Sequence, residues 1–168
     1  EWVSAQKPTL VADFGGGCGH LARKIAELCP DASVIIVEPH PTALAKQLAS
    51  KHENLLFDSD LPRNADIVIA QDVLEHLTDP LEACAKLLHA IREGGYLVTA
   101  NCFYPVIKCH LPSTFHFRYS FSFITPYLGC KFEGRIPGVR HAQIFRRTAT
   151  SQLCLRMARV FERLSRMA

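Results

Sequence analysis

A glycine-rich turn, Asp13-Phe14-Gly15-Gly16-Gly17-Cys18-Gly19-His20-Leu21, follows an apolar run that starts at Thr9. Glycines there let the backbone bend tightly and meet a ligand at distances a Cβ would forbid. Glu38 closes the next apolar run, Ser33 to Val37. It lies about 20 residues beyond the turn, where a carboxylate can accept hydrogen bonds from both ribose hydroxyls of an adenosine. Turn and acid together point to an adenosyl-bearing cofactor. A second string, Gln71-Asp72-Val73-Leu74-Glu75-His76-Leu77, carries a histidine, the side-chain type best suited to general-base work near neutral pH, so His76 is the first candidate for that role. Cys109, His110 and His116 lie in an aromatic stretch further on. Each can ligate a metal or present a base when deprotonated, although lone histidines among aromatics more often pack and hydrogen-bond.

Apolar runs alternate with helix-period segments through the chain, the pattern of βαβ units feeding a mostly parallel sheet with helices on both faces. Strands are expected at 9–14, 33–37, 54–57, 66–70 and 96–100, with 131–136 and 142–145 joined through Pro137-Gly138 as a terminal antiparallel hairpin. A helix from about Gly19 to Cys29 stops at Pro30. Pro41 suits a first helical position for the stretch 42–50. Asp79-Pro80 with Glu82 reads as an N-cap, a proline at the first helical position and a capping box, opening a helix that Gly94-Gly95 ends. Its buried stripe would be Leu81, Ala85, Leu88 and Ile91, with Cys84 beside it.

Asp13-x-Gly15-x-Gly17-x-Gly19 after the first strand, Glu38 ending the second, and Gln71-Asp72-Val73-Leu74-Glu75-His76-Leu77 after the fourth together resemble class I S-adenosylmethionine-dependent methyltransferases over roughly residues 9–145. Within that family the chain resembles the small-molecule, ubiquinone-type O-methyltransferase branch. The resemblance implies a doubly wound, mostly parallel seven-strand α/β sheet and S-adenosyl-L-methionine as cofactor. By the same resemblance Asp13, Gly15, Gly17 and Gly19 back the amino-acid end of the cofactor and Glu38 takes the ribose. Pro39 then flanks the adenine, Asp58 faces its amino group, and Gln71 lies near the methionine carboxylate. Read on their own, Asp58 is also a solvated loop acid and Gln71 a strand-end polar residue. Gly17-Cys18-Gly19-His20-Leu21-Ala22 satisfies a shortened dinucleotide fingerprint as well. The short chain after the fifth strand and the E-H-L string favour the methyltransferase.

Similar E-x-x-E-H strings bind a divalent metal in ubiquinone-biosynthesis and small-RNA 2′-O-methyltransferases. Asp72 stands here for the first glutamate and shortens the ligand by one methylene, so no metal ligand is assigned. His76 and His116 are the catalytic candidates. Phe103, Tyr104, Phe115, Phe117, Tyr119, Phe121 and Phe123 make either an apolar lid over the acceptor or a packed segment. The alternation from Phe115 to Phe123 has a period of two and suits an extended strand.

The 168 residues, 48% hydrophobic and 21% charged, suffice for one core. Seven scattered cysteines without a C-x-x-C pair suggest reduced thiols, and the absence of a long apolar run and of a signal-peptide layout suggests a soluble, cytoplasmic chain. Of the net charge of +3, residues 146–168 supply +5, leaving residues 1–145 net acidic. That balance argues against a polynucleotide held across the core. Residues 1–148 read as the core domain. Residues 149–168 read as a basic amphipathic helix, part of the same domain or an interaction segment, with Leu153, Met157, Val160 and Leu164 on one face and Arg156, Arg159, Arg163 and Arg166 on another. Few residues precede the first strand, so a partner chain or a further N-terminal segment is expected to complete the cofactor lid. The predicted activity is methyl transfer to an oxygen or nitrogen of a small-molecule or carbohydrate-type acceptor. An RNA 2′-O-methyltransferase-like enzyme with a metal site and a non-catalytic methyltransferase-like assembly module are the other readings.

Overall fold

The structure, a computed structural model, describes residues 1–166. Met167, which the periodicity places in the last helix, lies outside the described residues. Seven strands, β1 (Leu10–Phe14), β2 (Ser33–Val37), β3 (Leu55–Asp58), β4 (Ala65–Gln71), β5 (Ile91–Ala100), β6 (Cys130–Arg135) and β7 (Ala142–Arg147), form one sheet in the order β3-β2-β1-β4-β5-β7-β6. The first five are mutually parallel, and β7 runs antiparallel to both β5 and β6. From β1 the chain winds outward to β2 and β3, then crosses back to β4 on the other side. The crevice above the C-terminal ends of β1 and β4 is therefore the ligand position of a doubly wound sheet.

Helices cover both faces. On one lies α2 (His20–Leu28), whose Ala22, Ile25 and Ala26 pack with Val11, Val34, Ile36 and Ile67. On the other lie α4 (Pro80–Ala90), α5 (Phe117–Ile124) and α6 (Gln152–Arg166), packed on Ala12, Val68, Leu97 and Phe145. Burial on both faces explains the near-continuous apolar run of β4. Two short helices, α1 (Trp2–Ala5) and α3 (Ala43–Ala49), complete the fold, with Trp2 edge-on to Tyr96 at 5.3 Å. Among the described residues no helix is long and apolar enough to cross a membrane.

Polar fasteners fix the ends of these elements. Asp66 accepts from the Thr9 backbone and hydroxyl at 2.7 and 2.8 Å and from the Leu10 N–H at 3.0 Å, while Arg92 donates to its other oxygen at 2.5 Å. Burial opposes ionisation there, but Arg92 and the Thr9 and Leu10 donors outweigh it and hold the carboxyl at a pKa of about 2. Thr42 caps α3 by accepting from the Ala45 N–H at 3.1 Å, so Pro41 precedes the cap rather than opening the helix. Asp79 caps α4 by accepting from the Glu82 N–H at 3.0 Å. Glu82 turns its carboxylate to Lys86 at 3.0 Å.

Several sequence expectations are corrected. α4 ends at Ala90, and Gly94-Gly95 sit inside β5 at a register shift opposite Ala65 and Ile67. A Cβ on Gly95 would come within 2.7 Å of the Asp66 carbonyl, so the glycine serves strand packing, not a helix stop. The aromatic stretch is helical, not extended: Phe117, Phe121 and Ile124 recur at helical spacing and bury against Phe103 and Phe145. In α6 the stripe Leu153, Met157, Val160 and Leu164 is exposed. The helix docks instead through Ala158, Leu155, Phe161 and Glu162, with Phe161 stacked on Tyr127 at 3.8 Å and Arg159 paired with Asp79.

Candidate active site

β1 delivers Asp13 and the glycine turn to the crevice. Gly15, Gly17 and Gly19 take φ values of +69°, +51° and +73°, a region that other L residues enter only with strain. The turn is held by the Gly15 N–H to the Val37 carbonyl at 2.9 Å and the Gly19 N–H to the Gly16 carbonyl at 2.7 Å. A Cβ at Gly15 would strike Val73 at 2.6 Å and one at Gly19 would strike Ile36 at 2.5 Å, whereas one at Gly17 would meet nothing within 4 Å. Gly17 thus faces open space. Asp13 is buried beneath the turn, where a Cβ on Gly16 would lie 2.6 Å from its Oδ2. Burial pushes the Asp13 carboxyl up to about 7, with the Ala22 N–H acting weakly against it. This residue supports the turn from below.

The ends of β2, β3 and β4 place the remaining predicted cofactor residues along the same edge. The Glu38 N–H donates to the Asp58 carbonyl at 2.9 Å, fixing the two acids on adjacent strand ends. The Glu38 carboxylate accepts the His40 N–H through Oε1 at 3.2 Å, which orients it and leaves Oε2 for a further donor. Pro39, Asp58 and Gln71 are exposed, and Asp58 Oδ1 accepts the Asp60 N–H at 3.1 Å. An apolar pocket of about 360 Å³ opens beside Gln71 and Ala100, walled by Trp2, Ile25 and Ile69. Neither His76 nor His116 lines it.

Beyond β4 the chain makes a single helical turn, Leu74–His76. Glu75 is 0% exposed. Its Oε1 accepts the Cys102 N–H at 2.6 Å, and its Oε2 is buried without a partner among the described residues. The Leu111 N–H donates to the Glu75 carbonyl at 3.0 Å, which draws the loop after β5 over this turn. His76 Nδ1 lies 3.1 Å from the Cys109 carbonyl and His110 Nδ1 lies 2.6 Å from the Tyr104 carbonyl. A carbonyl only accepts, so Nδ1 is the donor in both rings, and Nε2 presents a lone pair in the neutral imidazole. The two rings stand edge to face at 4.9 Å, and one donor atom each from Glu75, His76 and His110 lies within 4.8 Å of the others. Asp72 stands outside this cluster: it is exposed, has a φ of +52°, and its carboxylate meets Gln71 at 3.4 Å.

His116 is not brought to His76. Its Nε2 lies 3.1 Å from Glu162 on α6, and Arg166 donates to the same Glu162 oxygen at 2.6 Å. Burial and the Arg166 charge lower the His116 pKa against the pull of Glu162. The aromatic residues divide: Phe103, Phe117 and Phe121 join the core, while Tyr104, Tyr119 and Phe123 are exposed, so they do not form one lid.

Residues 12–97, just over half the chain and spanning the glycine turn and the turn after β4, match a family described as methyltransferase domain. The chain belongs to the class I S-adenosylmethionine-dependent methyltransferases. The mitochondrial ubiquinone biosynthesis O-methyltransferase of Schizosaccharomyces pombe is 30% identical over 105 residues, covering 54% of this chain and 37% of that protein. An uncharacterised methyltransferase of the same yeast is 28% identical over 123 residues, covering 60% and 44%. The chain thus spans less than half the length of these relatives. Among solved structures, the mitomycin 7-O-methyltransferase MmcR has a TM-score of 0.65 at 18% identity, covering 88% of this chain and 52% of its own. Human N-acetylserotonin methyltransferase in complex with S-adenosylmethionine has a TM-score of 0.60 at 21% identity, covering 85% and 48%. At these identities the two structures establish the methyltransferase fold, including its antiparallel last strand pair.

Proposed function

We propose that this methyltransferase domain binds S-adenosylmethionine across the ends of β1 to β4 and transfers its methyl group to an oxygen or nitrogen of a small-molecule or carbohydrate-type acceptor. The observation that carries the reading is the gathering of Gly17, Glu38, Asp58 and Gln71 along one edge of the sheet, with open space at Gly17 where a ligand needs it. Bound there, the cofactor supplies a methyl group made electrophilic by the adjoining sulfonium. Glu38 accepts hydrogen bonds from the ribose hydroxyls. Pro39 and Asp58 frame the adenine, and the Gln71 amide donates toward the methionine carboxylate. Displacement at the methyl neutralises charge, so holding the reactants in line and excluding water account for most of the acceleration.

His76 is the chain's group for the acceptor proton, since its Nδ1 is tied to the Cys109 carbonyl and its Nε2 is free to accept. His116, paired with Glu162, is assigned to holding α6 rather than to chemistry. The small-molecule acceptor is supported by the ubiquinone-biosynthesis relative and by the net acidic stretch 1–145. Transfer of a labelled methyl group to a panel of phenols, sugars and amines tests the proposal. Label in any acceptor that depends on His76 supports it, and tight cofactor binding without turnover on a broad panel would instead favour a binding module.

A further inference from the structure

We propose that the outer face of α6, together with the exposed aromatics of α5, docks this domain on an anionic membrane surface. Charge is divided unevenly along the chain: residues 101–168 hold eleven Lys and Arg against two Glu, while residues 1–100 hold eight against fourteen Asp and Glu. α6 lies in the basic part and has two apolar sides. The inner side is used by the fold: Ala158 is buried, Phe161 stacks on Tyr127, and Arg159 pairs with Asp79. The outer side, Leu153, Met157, Val160 and Leu164, is 43–66% exposed. Because the inner contacts hold the helix in place, the outer stripe is presented by a fixed element.

The apolar surface continues beyond α6. Leu164 lines the same groove as Tyr119 and Phe123 of α5, which are 68% and 75% exposed. Large apolar side chains gathered on one face mark an interaction surface. The cations beside it identify its partner. Arg156 and Arg163 stand about 70–90° round the helix from the centre of the stripe. Both are exposed and have no carboxylate partner among the described residues, whereas Arg159 and Arg166 are paired with Asp79 and Glu162. Arg118 of α5 lies over the Tyr119 ring at 4.7 Å. Glu162 is the one acid of α6 and is buried, and α5 has none, so neither helix adds an exposed carboxylate to this face.

A helix lying in a bilayer interface is built in this order. Aliphatic side chains enter the acyl boundary, aromatic rings sit at headgroup depth, and arginines on the flank reach the phosphates while their stems stay on apolar surface. A polynucleotide would offer phosphates to the arginines but nothing apolar to the stripe. An anionic bilayer satisfies both, and the stripe from Leu153 to Leu164, about 16 Å long at roughly 1.5 Å per residue, can lie flat on it.

The test is flotation of the purified full chain with phosphatidylcholine vesicles, with and without phosphatidylglycerol, at low and high salt, alongside gel filtration. The expected result is a monomer that floats only with the phosphatidylglycerol vesicles, and roughly tenfold or more weakly at high salt because the attraction is screened. Val160→Glu, at an exposed position outside the core, should weaken binding roughly tenfold or more, as should Arg156→Gln combined with Arg163→Gln. Lys51→Gln, which removes an exposed cation from the acidic stretch 1–100, should leave binding unchanged. A wild-type monomer that floats with neither vesicle overturns the proposal whatever the variants do, and leaves the stripe to a protein partner. Self-association in gel filtration that Val160→Glu abolishes overturns it in favour of a second copy of the chain. Binding to anionic vesicles that survives Val160→Glu is adsorption by charge alone and overturns it as well.

Discussion

The glycine turn and the paired loops after β4 and β5 are built on opposite principles. In the turn, three positive-φ glycines within five residues dictate the backbone locally, and the acid that partners it closes the adjacent strand. The loops after β4 and β5 acquire their geometry from distant contacts: Glu75 with Cys102, 27 residues on, and His76 with Cys109, 33 residues on. The first region is a frame fixed by its own backbone. The second is a site assembled by tertiary packing, where differences in acceptor chemistry can arise without disturbing the frame.

The division is broken most forcefully at His76. In His76→Ala, turnover should fall by about 10²–10⁴-fold while cofactor affinity stays as in the wild type. Equal losses in both would mean that the two regions do not act separately. Gly17→Val should do the opposite: a β-branched residue at a φ of +51° costs about 1–3 kcal/mol of fold stability, and its side chain, placed in the open space beside the turn, should weaken S-adenosylhomocysteine binding roughly ten- to a hundredfold in a protein that still folds.

How much of this was legible in the sequence follows the same line. Asp79-Pro80 and the glycine turn act over a few residues and were readable. Phe115 to Phe123 alternates with a period of two that suits an extended strand as one of its readings, while the contacts of Phe117 and Phe121 with Phe103 and Phe145 that accompany its helix come from far along the chain. His110 stood beside Cys109 and His116 as one of three ligand-capable loop residues, and nothing local distinguishes it. Its pairing with Glu75 is set by the loop crossing, for which the only sequence signal is a histidine in the loop after β5 following an E-H string after β4. The exposure of Leu153, Met157, Val160 and Leu164 was hidden for a related reason: α6 has two apolar sides, and docking chose Ala158 and Phe161.

Two smaller effects sharpen the comparison through pH. The folded pKa of Asp13, about 7, lies above its ordinary 3.8, so between these values the folded chain keeps a proton that the unfolded chain has lost. This group's contribution to stability is full below about pH 4 and declines as pH rises to 7. Asp13→Asn should therefore gain on the wild type in thermal melts as pH rises from 5 to 8, by up to a few kcal/mol (about 2–4). A gap that does not widen with pH would show that the turn does not bury an ionisable support. His116 has the reverse sign. Its pKa is lowered on folding, so the stability it allows is present above about 6.5 and lost as pH falls through that value toward the folded pKa. His116→Gln should remove this part of the acid sensitivity, a smaller change than at Asp13, and should leave turnover unaltered if His116 only anchors α6.

Calorimetric titration of the purified chain with S-adenosylhomocysteine, with NAD as a parallel ligand, asks whether the glycine turn, Glu38 and Gln71 form the proposed S-adenosylmethionine site. Saturable binding of S-adenosylhomocysteine is expected, weakened roughly ten- to a hundredfold in Gly17→Val, and none of NAD. Binding of NAD in place of S-adenosylhomocysteine, or an affinity unmoved by Gly17→Val, would contradict it.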